Sequence, residues 1–172
     1  MVLVERAKNS LPVIREVYPY LHVRGAAAAI DFYKRVFGAE ELFRLSEPDG
    51  RIGHAELKLG PVTLMIVDEY PDYGIRSPLA FGGTGSTLHL HVDDVDVLAR
   101  RAVQAGATMV MEPADQGHGE RQCRVRDPFG HEWLLGHETE EVPREEMQRR
   151  FTAWSEAADG TVEPRSEPPS RT

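Results

Sequence analysis

Two His-Glu pairs near the end of the chain are the residues whose types and spacing first suggest chemistry. They lie in the stretch RDPFGHEWLLGHE, from Arg126 to Glu138. Imidazole and carboxylate groups bind divalent metals and also act as general acids and bases. A zinc-protease helix needs the motif H-E-x-x-H, whereas HEWLLGH separates its histidines by six positions and follows a turn sequence. The stretch therefore predicts a β-strand and excludes that motif.

The elements that position these residues follow from an internal repeat. Two segments of the chain each open with a short strand ending in His-Val, continue as a helix and stop at Gly-Ala. Strand-like runs separated by turn residues follow each helix. His22 and His91 are 69 residues apart, as are Glu69 and Glu138 (91 − 22 = 138 − 69). The sequence predicts an α+β fold of two βαβββ modules.

The alternation of side chains along each strand separates two faces of each predicted sheet. We expect the apolar face to pack on the module's helix. The opposite face holds Tyr, His, Glu and Met instead of a solvated Lys/Glu mixture, which favours a ligand cleft over an ordinary half-exposed sheet face. The ligand-binding candidates on this face are Tyr18, Tyr20, His22, His54, Glu56, Met65, Thr87, His89, His91, Glu132 and Leu134.

The composition narrows the class of protein. The chain has 172 residues and a formal net charge of −8, without a basic cluster, so we expect no nucleic-acid partner. A single cysteine, Cys123, excludes an internal disulfide framework, and its place beside Val125 in the strand pattern predicts a buried small hydrophobe. No secretory signal and no apolar run of membrane-spanning length is recognisable, so we expect a cytoplasmic protein without membrane contact.

Five motifs carry a resemblance to a known family: AAIDFYKRVFGAEE, HAEL, LHLHVDDVD, AGAT and DPFGHEW. Over residues 17–141 the chain resembles the vicinal oxygen chelate superfamily, which includes glyoxalase I, extradiol dioxygenases, fosfomycin-resistance enzymes and bleomycin-binding proteins. The PhnB-like branch is the most similar. The resemblance implies module one at 17–80 and module two at 86–141, curled into a U-shaped sheet around a cleft, in a protein that is often a homodimer.

The resemblance also implies where a metal would bind. Metal-dependent members use four side chains, two from each module, and these positions fall at Tyr18, Met65, Thr87 and Leu134. Such sites need several imidazole or carboxylate ligands, so we expect no metal cofactor there. The alternative is a displaced site for Zn, Ni, Mn or Fe. Its candidate ligands are His22, His54, Glu56, His89, His91 and Glu132.

The segment DQGHGERQ, residues 115–122, matches a branch loop whose aromatic positions are here His118 and Gln122. Gln122 is a further ligand-binding candidate. Arg121 is another, because it could orient an anionic group, or it could simply pair on the surface. His131 and His137 lie on the Trp133 face, and we interpret both as structural.

The remaining segments are predicted to be accessory. Residues 1–16 form an N-terminal arm, and the glycine-rich run FGGTGS is a linker between the modules. Residues 142–156 are expected to form a helix that docks through Met147, Phe151 and Trp154. The Pro/Glu/Ser-rich residues 157–172 are expected to be disordered.

Together, the residues and the resemblance favour a metal-free protein that binds and sequesters a small organic molecule, such as a natural product or metabolite. The alternative is an enzyme of lyase, isomerase or dioxygenase type, with His89 or Glu56 as general base and with or without a relocated metal. A third possibility is a domain that mainly scaffolds a dimer.

Overall fold

The computed structural model describes residues 11–159. Most of the predicted N-terminal arm, residues 1–10, and most of the predicted disordered tail, residues 160–172, lie outside the described residues. The chain divides into two compact units at the boundary between Ser77 and Pro78. Each unit contains one four-stranded sheet.

Module one has the predicted βαβββ order. Its elements are β1 (Tyr20–Val23), α1 (Ala26–Phe37), β2 (Glu40–Ser46), β3 (Ile52–Leu59) and β4 (Val62–Asp68). The strands lie in the order β1-β4-β3-β2, with β1 parallel to β4 and the other neighbours antiparallel. A single 3₁₀ turn, Pro71–Tyr73, follows the sheet.

Module two repeats this order after a short helix. Its elements are α2 (Pro78–Phe81), β5 (Thr87–His91), α3 (Val95–Gln104), β6 (Thr108–Asp115), β7 (Glu120–Arg126), β8 (Glu132–Glu138) and α4 (Arg144–Asp159). The sheet order β5-β8-β7-β6 matches that of module one, with β5 parallel to β8. The prediction of two βαβββ modules is therefore confirmed, while the U-shaped arrangement around a shared cleft stays a prediction.

The core of each module lies between its helix and the predicted apolar face of its sheet. In module one, α1 packs on β3 and β4. In module two, α3 packs on β6, β7 and β8. Cys123 is buried, as predicted. The buried strand residues on this face include Leu21, Val23, Ala55, Leu57, Leu64 and Ile66 in module one, and Cys123, Val125, Trp133 and Leu135 in module two.

The helix ends follow ordinary rules of local structure. Gly38 ends α1 in the left-handed conformation, with φ 69°, which a residue with a side chain rarely adopts. Asp94 caps α3 by accepting a hydrogen bond from the backbone N–H of Val97 at 2.9 Å. The first helix lacks such a side chain at its own cap, Gly25. Its first N–H groups are satisfied from elsewhere in the module.

Helix α4 is attached mainly through polar contacts. The guanidinium of Arg150 donates to the backbone carbonyl of Gly117 at 3.1 Å and pairs with Glu140 and Glu146. The predicted docking residues of α4 remain largely exposed, at 36% for Met147, 61% for Phe151 and 65% for Trp154. None of the helices within residues 11–159 has the length and apolar character required to cross a bilayer.

Candidate functional site

In both modules, the sheet face turned away from the helix carries ring and carboxylate side chains. Alternation along each strand produces this face, because every second residue packs into the core. In module one, Leu21 and Val23 are buried, whereas Tyr20 is 46% exposed and His22 is partly exposed. In module two, all of Thr87, His89 and His91 are exposed. The candidate site residues therefore lie on a partly to fully exposed face of each module.

Ring side chains gather on this face of module one. The rings of Tyr20 and His54 meet edge to face with centroids 5.6 Å apart, and the Tyr20 ring meets His22 at 5.8 Å. Phe43 of β2, which the sequence analysis did not single out, lies 5.6 Å from His54. The result is a half-exposed aromatic patch consisting of Tyr20, His22, Phe43 and His54.

A chain of polar contacts runs through the same patch. Tyr20 Oη lies 3.0 Å from His54 Nδ1, and His54 Nε2 lies 3.3 Å from Glu56 Oε1. Burial raises the pKa of the Tyr20 phenol, so this group is neutral at physiological pH. Tyr18 stands apart from the chain, because its hydroxyl donates to Glu16. Met65 lies on the same face, in register with Tyr20.

In module two, three histidines surround one carboxylate. Glu120 Oε1 lies 3.0 Å from His91 Nε2, and Oε2 lies 3.9 Å from His89 Nε2 and 3.6 Å from His118 Nε2. The rings of His89 and His91 have centroids 5.0 Å apart. The structure thus brings the predicted residues His89 and His91 together around a carboxylate that the sequence analysis did not name.

Gly136 supplies the space in which this cluster forms. It lies beside His91 and Gln122 in the register of the sheet. A Cβ atom at Gly136 would lie 2.7 Å from His89 Nε2, closer than real Cβ atoms come to a neighbour, and at a tight 3.1 Å from Glu120 Oε2. The missing side chain therefore lets the imidazole and the carboxylate converge over the backbone of β8.

The carboxylate of Glu120 is held ionised by its neighbours. Partial burial acts to raise its pKa, but the hydrogen bond from Gln122 and the nearby His91 outweigh burial and lower it. Gln122 Nε2 donates to Glu120 Oε2 at 2.6 Å. Gln122, a predicted ligand-binding residue, therefore contacts the cluster and orients the carboxylate of Glu120.

Two other candidates do not join this cluster. Arg121 donates to both carboxylate oxygens of Asp96 on α3, at 2.6 and 2.9 Å, and also pairs with Asp115. Arg121 is two residues from the buried Cys123 and therefore lies on the same, helix-facing side of β7. Glu132 is paired with Arg124 and Arg126. Of the two interpretations of Arg121, the geometry favours structural pairing.

The four positions that the resemblance assigns to a metal do not fit one in this chain. Tyr18, Met65, Thr87 and Leu134 provide a phenol, a thioether, a hydroxyl and an alkyl group. Divalent metal sites of enzymes are built from imidazole, carboxylate and thiolate ligands. No step of chemistry is therefore assigned to a metal at those positions.

A cavity of about 650 Å³ lies beside the cluster in module two. Gln116, Gly117 and His118 line one side, and α4 lines the other, with Met147, Phe151 and Trp154 among its residues. The volume falls within the range typical of small-molecule sites. His118 contributes to both the cavity and the surroundings of Glu120.

Glu120 and Gly136 were missed for an identifiable reason. Arg121 and Gln122 are both candidates on the strength of one loop motif, although neighbouring residues of a strand face opposite sides of a sheet. With Cys123 and Val125 assigned to the core, alternation assigns Glu120, Gln122 and Arg124 to the histidine face. That alternation can be read from the sequence. The approach of His89 and Glu120 over Gly136 cannot, because it depends on the conformations of the side chains.

Comparison with known proteins agrees with the fold. Residues 17–135 match the family model of the Glyoxalase/Bleomycin resistance protein/Dioxygenase superfamily. The uncharacterized protein Rv0887c of Mycobacterium tuberculosis (strain ATCC 25618 / H37Rv) is 46% identical over 145 residues, which cover 83% of this chain and 84% of that protein.

Two solved structures show the same architecture. TioX from Micromonospora sp. ML1 is 29% identical with a TM-score of 0.56, covering 72% of this chain and 98% of that chain. The PhnB protein from Bacillus cereus is 17% identical with a TM-score of 0.59, covering 72% and 99%, and shows likeness of fold alone. This chain therefore belongs to the Glyoxalase/Bleomycin resistance protein/Dioxygenase superfamily.

Proposed function

We propose that this protein binds a small organic molecule, such as a natural product or metabolite, and sequesters it without chemical change. The observation that carries the proposal is the composition of the sheet faces turned away from the helices. These faces present half-exposed rings and a few hydrogen-bonding groups, which is the surface that small-molecule sites typically use.

The aromatic patch of module one supports this proposal most directly. Tyr20 and Phe43 are 46% and 44% exposed, although the transfer of an aromatic ring out of water is favourable. His54 and Glu56 add directional hydrogen-bonding groups beside the rings. A planar organic molecule on this patch would cover apolar surface and be oriented by the polar chain.

The test is a thermal-shift screen of small aromatic and heterocyclic molecules against the full chain in the presence of a chelator, followed by calorimetry on the hits. We expect Tyr20→Ala to weaken binding of a confirmed ligand of module one, and His89→Ala that of a confirmed ligand of module two, about 10-fold or more, equivalent to roughly 1.4 kcal/mol. The recovered molecule should have an unchanged mass.

Tyr73→Ala is a matched control, because Tyr73 is a tyrosine of module one that is 82% exposed and lies in the 3₁₀ turn. It should leave the affinity within twofold. Unchanged binding in both Tyr20→Ala and His89→Ala would mean that the ligand does not use these faces.

A second candidate function is an enzyme, favoured by the contacts linking Tyr20, His54 and Glu56. A phenol, an imidazole and a carboxylate in line could move a proton to or from a bound carbonyl compound. Conversion of a bound molecule, with a bell-shaped pH–rate profile lost in Glu56→Gln or His89→Gln, would support this candidate. Recovery of the molecule unchanged would support the binding protein.

A further inference from the structure

We propose that His89, His91 and Glu120 of module two form a binding site for one divalent first-row transition-metal ion, of which Zn²⁺ and Ni²⁺ are the simplest probes. This site differs from the four superfamily positions. The expectation that no metal binds would then apply to those four positions and not to the whole chain. The inference stands on the geometry of module two and does not rest on the proposed function.

The ligand atoms of the three residues lie close together. One ligand atom from each of these three residues lies within 4.8 Å of the other two. His91 Nε2 is already 3.0 Å from one oxygen of Glu120, and His89 Nε2 is 3.9 Å from the other. Two ligands that each bind one ion at about 2.1 Å lie roughly 3–4 Å apart. Small rotations of the side chains would therefore complete the site.

Two neighbouring residues hold the ligand atoms in this arrangement. Gln122 donates to the carboxylate of Glu120 and fixes its orientation, which is what an outer hydrogen-bond partner does at metal sites. Gly136 leaves open the space beneath the ligand atoms, since any side chain there would displace His89. Both features keep the ligand atoms close together before an ion arrives.

The equivalent positions of module one carry different residues. At the 69-residue offset, His89 corresponds to Tyr20, His91 to His22 and Gly136 to Val67. Val67 is buried and fills the position that the glycine leaves open. Within residues 11–159, the cluster of module two is the one group of three or more such ligands close enough to share an ion. Module one has the same strands but different residues at these positions, and so it serves as an internal comparison for the cluster of module two.

The donor set selects the class of ion. Two imidazoles and one carboxylate suit Zn²⁺, Ni²⁺ and Fe²⁺, whereas Ca²⁺ and Mg²⁺ prefer oxygen ligands. Three protein ligands leave a coordination position for water or for an oxygen of a bound molecule. The side chains of His89 and His91 are 37% and 55% exposed, so an ion can reach them from solvent.

The experiment is calorimetric titration of the chelator-stripped full chain with Zn²⁺ alone and Ni²⁺ alone, with Mg²⁺ as the comparison ion. Co²⁺ absorption would report the ligand field independently. We expect one ion per chain. His91→Ala and Glu120→Gln should each weaken Zn²⁺ binding about 100-fold or more, because each removes a ligand. Gly136→Ala should weaken it about 10-fold or more, since its added methyl group displaces His89.

His22→Ala is the matched control, because His22 is the equivalent of His91 in module one and should leave the affinity within twofold. His91 is an exposed side chain, so circular dichroism should show that His91→Ala is folded. Three results would overturn the proposal: no stoichiometric Zn²⁺ or Ni²⁺ binding by the folded wild type, preference for Mg²⁺, or equal losses in His22→Ala and His91→Ala.

Discussion

Asp68 of β4 and His137 of β8 lie at the same position of their modules, 69 residues apart, and each accepts a hydrogen bond from the start of its module's helix. Asp68 Oδ1 accepts from the backbone N–H groups of Gly25 and Ala26, both at 2.9 Å. His137 Nδ1 accepts from that of Val95 at 3.2 Å. The last strand of each module therefore caps the first turn of its helix, and His137 has the structural role that the sequence predicts.

This capping predicts unequal losses of stability. Asp68 also accepts from the backbone N–H of Ile52 at 2.8 Å, so Asp68→Ala would leave three N–H groups unsatisfied. We expect a loss of about 3 kcal/mol in the free energy of unfolding. His137→Ala should cost about 1 kcal/mol, because Asp94 still caps α3. Urea denaturation measures both.

The control for this pair is Asp31→Ala, which changes an exposed aspartate on α1 and should alter the free energy of unfolding by less than about 0.5 kcal/mol. Equal losses in Asp68→Ala and Asp31→Ala would contradict the role of Asp68 as a cap.

Glu69 predicts a specific acid sensitivity. Hydrogen bonds from Arg24 and from the hydroxyl and backbone N–H of Ser77 lower the pKa of Glu69 to about 2. Because the folded-state pKa lies below the unfolded value of about 4.3, the stabilisation is complete above that value and declines as the pH falls towards 2. Glu69→Gln should therefore be less stable than wild type near neutral pH, with the difference shrinking on acidification.

The measurement is the free energy of unfolding of both proteins across this pH range. Taking the difference removes the acid sensitivity that the two proteins share. A difference that stayed constant down to the acid limit would exclude this contribution.

Cys123 is predicted to be unreactive in the folded protein. Burial raises the pKa of its thiol to about 11, and the thiolate is the reactive form. We expect reaction with a disulfide reagent to be about 100-fold or more slower in native protein than in concentrated guanidinium chloride. The single cysteine makes the signal unambiguous. Val97→Cys in a Cys123→Ser background supplies an exposed reference thiol, and equal native rates for the two would argue against burial.

Homodimerisation, which the resemblance implies, is a further prediction. Strand β2 lies at the edge of its sheet, and its side chains Leu42, Phe43 and Leu45 are 49%, 44% and 61% exposed. An exposed apolar edge is a typical association surface. Sedimentation should give about twice the chain mass of 19.3 kDa, or 38.6 kDa.

Leu45→Glu should shift the protein towards the monomer, whereas Val97→Glu, which changes an exposed apolar residue of α3, should not. Sedimentation of the wild type at monomer mass across micromolar concentrations would rule out a stable dimer.

The sequence predicted the fold in detail because its signals were local and repeated. Alternation assigned Leu57 and Trp133 to the core, and the offset of 69 residues aligned the two modules. The arrangement of the site was less predictable. Alternation indicates which face a side chain occupies, but not whether Glu120 reaches over Gly136 towards His89 or whether Arg121 pairs with Asp96. Those outcomes depend on rotamers and on space left by neighbouring residues.

The difference between Gly136 and Val67 has a consequence for the history of the chain. A tandem duplication begins with two identical halves, and selection for folding alone keeps the same residue types at equivalent core positions. Here the strand pairing is shared, while Val67 occupies in one half the position that Gly136 occupies in the other. A few side-chain differences, such as Gly136 against Val67 and His89 against Tyr20, can therefore change what one half binds while both halves keep the same strand pairing.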